Sequence, residues 1–269
     1  LLAPGSTPPL TPELIFFVFL PPLVFEAAIQ IPWKPLRREM PLLLALVTIG
    51  VVLAAGVVAV GMHWWMGWSW IGAALFGVLI AATDPVAVIS AFKSLRVQPR
   101  LHLLVEAESL LNDGVAAVGF AILVAIAGGA AAGAAEIGFD LVKTIGGGII
   151  AGAVVAVPLI LIAGRTSDRL VEITLTMLIA YGSFLLAEHF HASGVLATLT
   201  AGLIVGNYGF LGSISDDGRQ GVLHHWEFVA FLINSLIFIL IGGREANTPI
   251  LTVLEAAAAA TVLSLIGRA

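Results

Sequence analysis

A carboxylate set in the middle of an apolar segment needs a partner or a purpose. Asp113 sits in Glu108-Ser109-Leu110-Leu111-Asn112-Asp113-Gly114, Asp84 in Ala82-Thr83-Asp84-Pro85, and Glu26 directly after Leu20-Pro21-Pro22-Leu23-Val24-Phe25. Carrying an ionisable side chain into a bilayer interior costs at least ~2.5 kcal/mol on insertion scales, so an intramembrane acid reads first as a functional residue. Three such acids on three apolar segments point to a site for protons or cations. Ser109 and Asp113 are four residues apart and Ser109 and Asn112 three apart, so a helix presents all three oxygen-bearing side chains on one face. Carboxylate, hydroxyl, amide and backbone carbonyl oxygens are the ligands that hard cations select, which suits a monovalent alkali ion. Pro85 offers no N–H to the carbonyl of Ala81 and drives Asp84 out of helical geometry, so the helix is expected to break at Thr83-Asp84-Pro85. Within a membrane, unwound backbone is tolerated only against protein or a water-filled cavity, and broken helices recur at transporter ion sites. A simple proline kink, with Asp84 capping the segment beyond it, is the other reading of the same three residues.

Glu108 is rotated by about 100 degrees from the face it adjoins and calls for a separate partner. Arg268 is the basic residue set deep in an apolar segment, and an intramembrane Glu and Arg are most economically read as a pair. The alternative places Arg268 at the end of the last helix, snorkelling to the interface. A carboxylate in a poorly solvated cavity is costly to keep charged and is stabilised by a proton or a cation.

The elements that must position these residues follow from composition. Of 269 residues, 59% are hydrophobic and 11% charged, which defines an all-α polytopic membrane protein. The net charge of −5 says little about partners when several acids lie inside apolar runs, and no basic tract suggests nucleic acid. The absence of cysteine excludes disulfides, thiolate metal sites and thiol nucleophiles. Apolar runs separated by polar or Gly/Pro-rich turns predict helices near 13–31, 41–62, 69–92, 102–128, 141–164, 170–190, 193–208, 224–243 and 249–269, with residues 209–223 as the longest loop. Alternate connections support the count: Lys34, Arg37, Arg38, Lys93, Arg96, Arg100, Arg165, Arg169 and Arg219 fall on one side, and Lys143 and Arg244 on the other. Nine against two marks the first side as cytoplasmic and places residue 1 outside. The chain opens at Leu1 without an initiator Met and stops in an apolar run, so a fragment lacking helices at both ends is expected, with residues 1–269 forming a single transmembrane domain.

Other polar residues carry weaker signals. His189 and His191 are two apart and point to different helix faces, which argues against a metal site. His224 and His225 are expected to begin a helix, and Glu172 and Glu188 to lie near the opposite interfacial ends of one helix. Trp64, Trp65, Trp68 and Trp70 read as an interfacial aromatic belt, and Gly146, Gly147 and Gly148 as a close helix-packing surface rather than a phosphate loop.

Taken together, Leu20-Pro21-Pro22-Leu23-Val24-Phe25-Glu26, Thr83-Asp84-Pro85, Glu108 to Gly114 and the late Gly267-Arg268-Ala269 resemble, in order, the monovalent cation/proton antiporters of the electroneutral sodium/proton branch, which includes eukaryotic sodium/hydrogen exchangers. The resemblance covers nearly the whole chain. It implies that Asp113 is the principal ion- and proton-binding carboxylate, with Asp84, Ser109 and Thr83 completing a sodium site, Asn112 beside it, and Glu26 at the site or its approach. It implies that Glu108 and Arg268 form a structural ion pair, and that Asn112-Asp113 marks one-for-one exchange. The implied fold has about thirteen helices in an inverted repeat, with a dimerisation part and a mobile core, of which about nine are expected here. The implied protein is a homodimeric secondary transporter of the cell (plasma) membrane that needs no cofactor, carries Na+ (or Li+ or K+) against H+, and is not an enzyme.

Two readings from other classes remain. A passive cation channel would use the same acids without obligatory proton coupling. An intramembrane hydrolase would need Ser193 or an Asp84/Asp113 dyad as its reactive centre, but Ser193 lacks the usual glycine two residues before it and neither Asp lies in a Gly-x-Gly-Asp setting.

Overall fold

The computed structural model describes residues 11, 13–83, 97–129, 134–245 and 250–268. Among them are nine helices: α1 (Leu14–Gln30), α2 (Trp33–Met66), α3 (Trp70–Ala81), α4 (Pro99–Ala127), α5 (Ala134–Ala163), α6 (Arg169–His189), α7 (Gly194–Asn207), α8 (Asp216–Glu245) and α9 (Ile250–Arg268). Six of the stretches they form are long and apolar enough to cross a membrane, as expected of an integral multi-pass protein. Their outward faces carry large apolar side chains, Val52, Leu53, Val142 and Leu161 among them, which lipid rather than water accommodates.

Three helices, α2, α5 and α8, begin seven or eight residues before the sequence-based expectation, and α3 ends at Ala81, with residues 84–92 of its expected span outside the described residues; the early starts of α2 and α8 have local reasons. Helix α2 begins at Trp33 and not near 41, because Pro35 is compatible with a first helical turn and the charged run Lys34 to Glu39 stays helical. At ~1.5 Å per residue its 34 residues are far longer than the ~30 Å hydrocarbon core, so the charged turns extend beyond the span. Helix α8 begins at Asp216, within the stretch expected to be a loop. Ser215 caps it, its Oγ accepting from the Gly218 N–H at 3.0 Å, and Asp216 and Asp217 occupy the first turn, where the helix dipole favours acids. His224 and His225 therefore lie inside α8 rather than at its start.

The helices fall into two compact units, each built from two separate stretches of chain: residues Leu1–Pro32 with Thr144–Pro249, and residues Trp33–Lys143 with Ile250–Ala269. In the first unit α1, α6, α7 and α8 surround a core that includes Phe25, Ile179, Val205, Val222 and Trp226. The Pro21-Pro22 pair costs α1 two backbone donors, and the Val18 carbonyl that Pro22 leaves without its usual partner accepts from the Tyr181 hydroxyl at 3.1 Å. Helix α7 lies against α1 closely enough that a Cβ on Gly206 would stand 2.1 Å from the Ile29 carbonyl oxygen. Gly148 and Gly152 of α5 meet α7 in the same way; of the run Gly146-Gly147-Gly148 read as a packing surface, Gly147 and Gly148 make such close contacts, while a Cβ on Gly146 would meet nothing within 4 Å.

In the second unit α3 and α9 both pack on α2. A Cβ on Gly77 would stand 2.4 Å from the Ala55 carbonyl oxygen, and one on Gly267 would stand 3.0 Å from the Cα of Ala54. The α2–α3 turn is tight: Gly67 takes a left-handed φ of 69° and Ser69 caps α3 through the Gly72 N–H. Trp64, Trp65 and Trp70 around this turn are exposed, as an interfacial belt requires, whereas Trp68, read as part of the same belt, is half-buried and packs edge-on against Phe76.

Candidate functional site

Helix α3 stops at Ala81, and Ala82 turns to extended backbone with ψ of 132°. A helix end leaves carbonyls without intrahelical partners, and in an apolar setting each needs a donor from elsewhere. Helices α4 and α9 supply them. Asn112 Nδ2 donates to the Ala81 carbonyl at 2.8 Å, Arg268 Nη2 donates to the same oxygen at 2.5 Å, and Ser109 Oγ donates to the Thr83 carbonyl. Ser109 and Asn112 are almost wholly buried and share the α4 face read from their spacing. Asn112 spends its second amide hydrogen on Glu108 Oε1 at 3.4 Å. Its own Oδ1 is a buried acceptor with no partner among the described residues.

The structure thus brings Thr83, Ser109, Asn112, Glu108 and Arg268 together at the C-terminal end of α3. Arg268 lies within electrostatic reach of Glu108, and among the described residues the two are joined through Asn112 and the Ala81 carbonyl rather than by direct contact. Asp113 follows Asn112 on α4 and is half-buried. Asp84 and Pro85 lie outside the described residues, as do Lys93 and Arg96. Glu26 is half-buried on α1, accepts a hydrogen bond from Gln30 Nε2, and belongs to the first unit, whereas the other described site residues belong to the second.

Three features escaped the sequence reading. Arg100 at the head of α4 holds Glu39 of α2 in a bidentate pair, Nε to Oε1 at 2.8 Å and Nη2 to Oε2 at 2.9 Å. No periodicity links residues so far apart. The Ala81 carbonyl as the anchor of both Asn112 and Arg268 was also unread, although Pro85 had marked that carbonyl as losing its donor. Glu172, expected at the interface, is instead fully buried: its Oε1 accepts from the Ser215 N–H at 2.9 Å and its Oε2 from the Ser215 hydroxyl at 2.8 Å. The start of α8 folds over α6 and covers it. Glu188, by contrast, is exposed, as an interfacial residue would be.

Residues 2–269 match the pattern of a family described as the transmembrane sodium/hydrogen exchanger. The chain belongs to that family. Among similar exchanger-family proteins, the Na(+)/H(+) antiporter ApNhaP of Aphanothece halophytica is 41% identical over 87% of this chain and 45% of its own length. The Na(+)/H(+) antiporter NhaS2 of Synechocystis is 36% identical over 98% of this chain and 49% of its own. The chain therefore spans about half the length of the curated relatives it matches. The exchanger fold is seen directly in the sodium proton antiporter MjNhaP1 of Methanocaldococcus jannaschii, whose solved structure aligns with a TM-score of 0.75 at 22% identity, over 95% of this chain and 64% of that one.

Proposed function

We propose that the protein is a secondary active antiporter that exchanges Na+, or Li+ or K+, for H+ across a membrane. One observation carries the proposal: α3 ends at Ala81 inside an apolar segment, and the carbonyls of Ala81 and Thr83 are held by side chains of the helix that bears Asp113. Each of these bonds uses a donor and leaves oxygen behind. Ser109 keeps the lone pairs of its hydroxyl, and Asn112 keeps Oδ1, which has no partner among the described residues. With the Asp113 carboxylate, and Asp84 next to Thr83 in sequence, these make an oxygen set of the kind an alkali cation takes. Glu108 and Arg268 steady the end of α3 through Asn112 and Ala81, and Glu26 serves the approach to the site.

Coupling follows from competition. A poorly solvated Asp113 is costly to keep charged and alone, so either a proton or a sodium ion compensates it. When the site changes the face it presents only in an occupied state, entry of one ion accompanies exit of the other, with no ATP and no cofactor. Because residue 112 is Asn rather than a second acid, replacing one Na+ by one H+ leaves the charge of the site unchanged, and exchange is electroneutral. In this reading the chain is one transporter domain of a homodimer in the plasma membrane, and it has no enzymatic role.

The test is sodium-triggered collapse of an imposed pH gradient in sealed vesicles carrying the full-length protein or its Asp113→Asn variant. Coupled proton movement with Na+, Li+ or K+, lost in the variant, is the expected result. A parent protein that conducts the cation without moving protons would be a channel, and the proposal would fail.

A further inference from the structure

The buried carboxylate of Glu172 has no part in the exchange just described, yet it is built in with care. It is fully buried on α6, holds both the backbone N–H and the hydroxyl of Ser215, and stands where a Cβ on Gly218 would overlap its Oε2. Those contacts fix the first turn of α8 against α6. One turn further along α6, the buried Thr176 Oγ1 accepts from the Trp226 Nε1–H at 3.0 Å, the Trp226 side chain being itself 1% exposed. The indole in turn packs on Phe25 of α1, with ring centroids 4.7 Å apart. Phe25 precedes Glu26. The beginning of α8 is thus connected by successive buried contacts, all within one unit, to the residue before the acid on α1.

We infer that Glu172 is a positioning residue for Glu26: by fastening the start of α8 to α6 it seats Trp226 against Phe25, and that seat sets where the Glu26 carboxylate stands. The inference rests on the reading of Glu26 as a residue of the ion approach. Its physical basis is close packing. A buried indole held by a hydrogen bond on one side and an aromatic ring on the other has few places to go, so a shift of the α8 start is passed to α1 rather than absorbed. Sequence order gives no hint of the connection, because the three helices lie in distant parts of the chain.

The experiment uses the full-length protein with Glu172→Ala, Glu172→Gln and Ser215→Ala. Sodium titration of the pH-gradient collapse is expected to show KM for sodium raised several-fold by Glu172→Ala and less by Ser215→Ala, with maximal velocity per folded protein within about twofold of the parent. Glu172→Gln, whose amide oxygen still accepts from the Ser215 N–H, is expected to restore the parental KM. A second arm does not depend on transport: the rate at which a thiol reagent labels Glu26→Cys, with and without Glu172→Ala, is expected to change by at least about fivefold. An unchanged labelling rate overturns the inference. So does a loss of folded protein or maximal velocity with KM unchanged, which would leave Glu172 a stability residue only. Should the parent protein show no coupled flux, the antiporter reading falls, and the labelling arm still decides whether Glu172 positions residue 26.

Discussion

Replacing Gly77 by Ala tests the packing that brings α3 to its functional end. The added Cβ would meet the Ala55 carbonyl oxygen at 2.4 Å, when side-chain carbons essentially never come closer than 3.0 Å, and the next nearest atoms are the Ala55 carbonyl carbon and the Ala59 nitrogen. All three belong to the backbone of α2, so no rotamer change relieves the contact. The two helices must part by about 0.6 Å, the difference between those two distances. Overpacking of this kind costs about 1–3 kcal/mol. At roughly 2–4 °C per kcal/mol for a chain of this size, the midpoint of thermal unfolding should fall by about 2–12 °C. Gly56 on α2 is the control, since a Cβ there meets nothing within 4 Å. Gly56→Ala should change stability by no more than about 1 kcal/mol, in the stabilising direction. The assay is thermal unfolding of the purified full-length protein in detergent, followed by intrinsic fluorescence. Equal midpoints for Gly77→Ala and Gly56→Ala would refute the claim that α2 and α3 are in backbone contact at this point.

Ser109→Ala removes the donor to the Thr83 carbonyl, and an unsatisfied buried carbonyl is worth about 1–3 kcal/mol, so KM for sodium should rise roughly tenfold in the vesicle assay. Glu108→Gln and Arg268→Met should each lower the unfolding midpoint, and the double variant should lose less than the sum, with a coupling of about 0.5–3 kcal/mol; strict additivity would dissolve the relay through Asn112 and Ala81. At fixed, subsaturating sodium, transport velocity should fall as pH is lowered, because protons then compete for the carboxylate that sodium needs. Saturating sodium should restore it, and a velocity that kept rising in acid would contradict direct competition.

Much of this was legible before any coordinates. The face shared by Ser109 and Asn112 follows from spacing alone, and the end of α3 at Ala81 agrees with a proline four residues on. Apolar run length gave nine helices because a bilayer imposes one length scale on every span. The errors cluster where polar residues remain helical: the charged head of α2 and the Ser215-capped start of α8 both read as loops, since hydropathy sees charge and not capping. Glu172 was misplaced for the opposite reason. Its position near a helix start is interfacial in one dimension, and only the folding of α8 over α6 buries it. The Arg100–Glu39 pair belongs to a third kind, fixed by tertiary approach and silent in any local pattern.

The interleaving of the two units has a consequence for how the protein is made. Asn207 Nδ2 closes the end of α1 by donating to the Ile31 carbonyl 176 residues earlier, and Arg268 reaches back 187 residues to Ala81. At a synthesis rate of about 5–20 residues per second, α1 enters the membrane roughly 9–35 s before the helix that seats it exists. For that interval a helix that carries Glu26 and lacks two backbone donors at Pro21-Pro22 must be sheltered by the insertion machinery or by provisional neighbours. A ribosome stalled between α4 and α7 would expose α1 in an unfinished state, and quality control of this protein should be most active in that window.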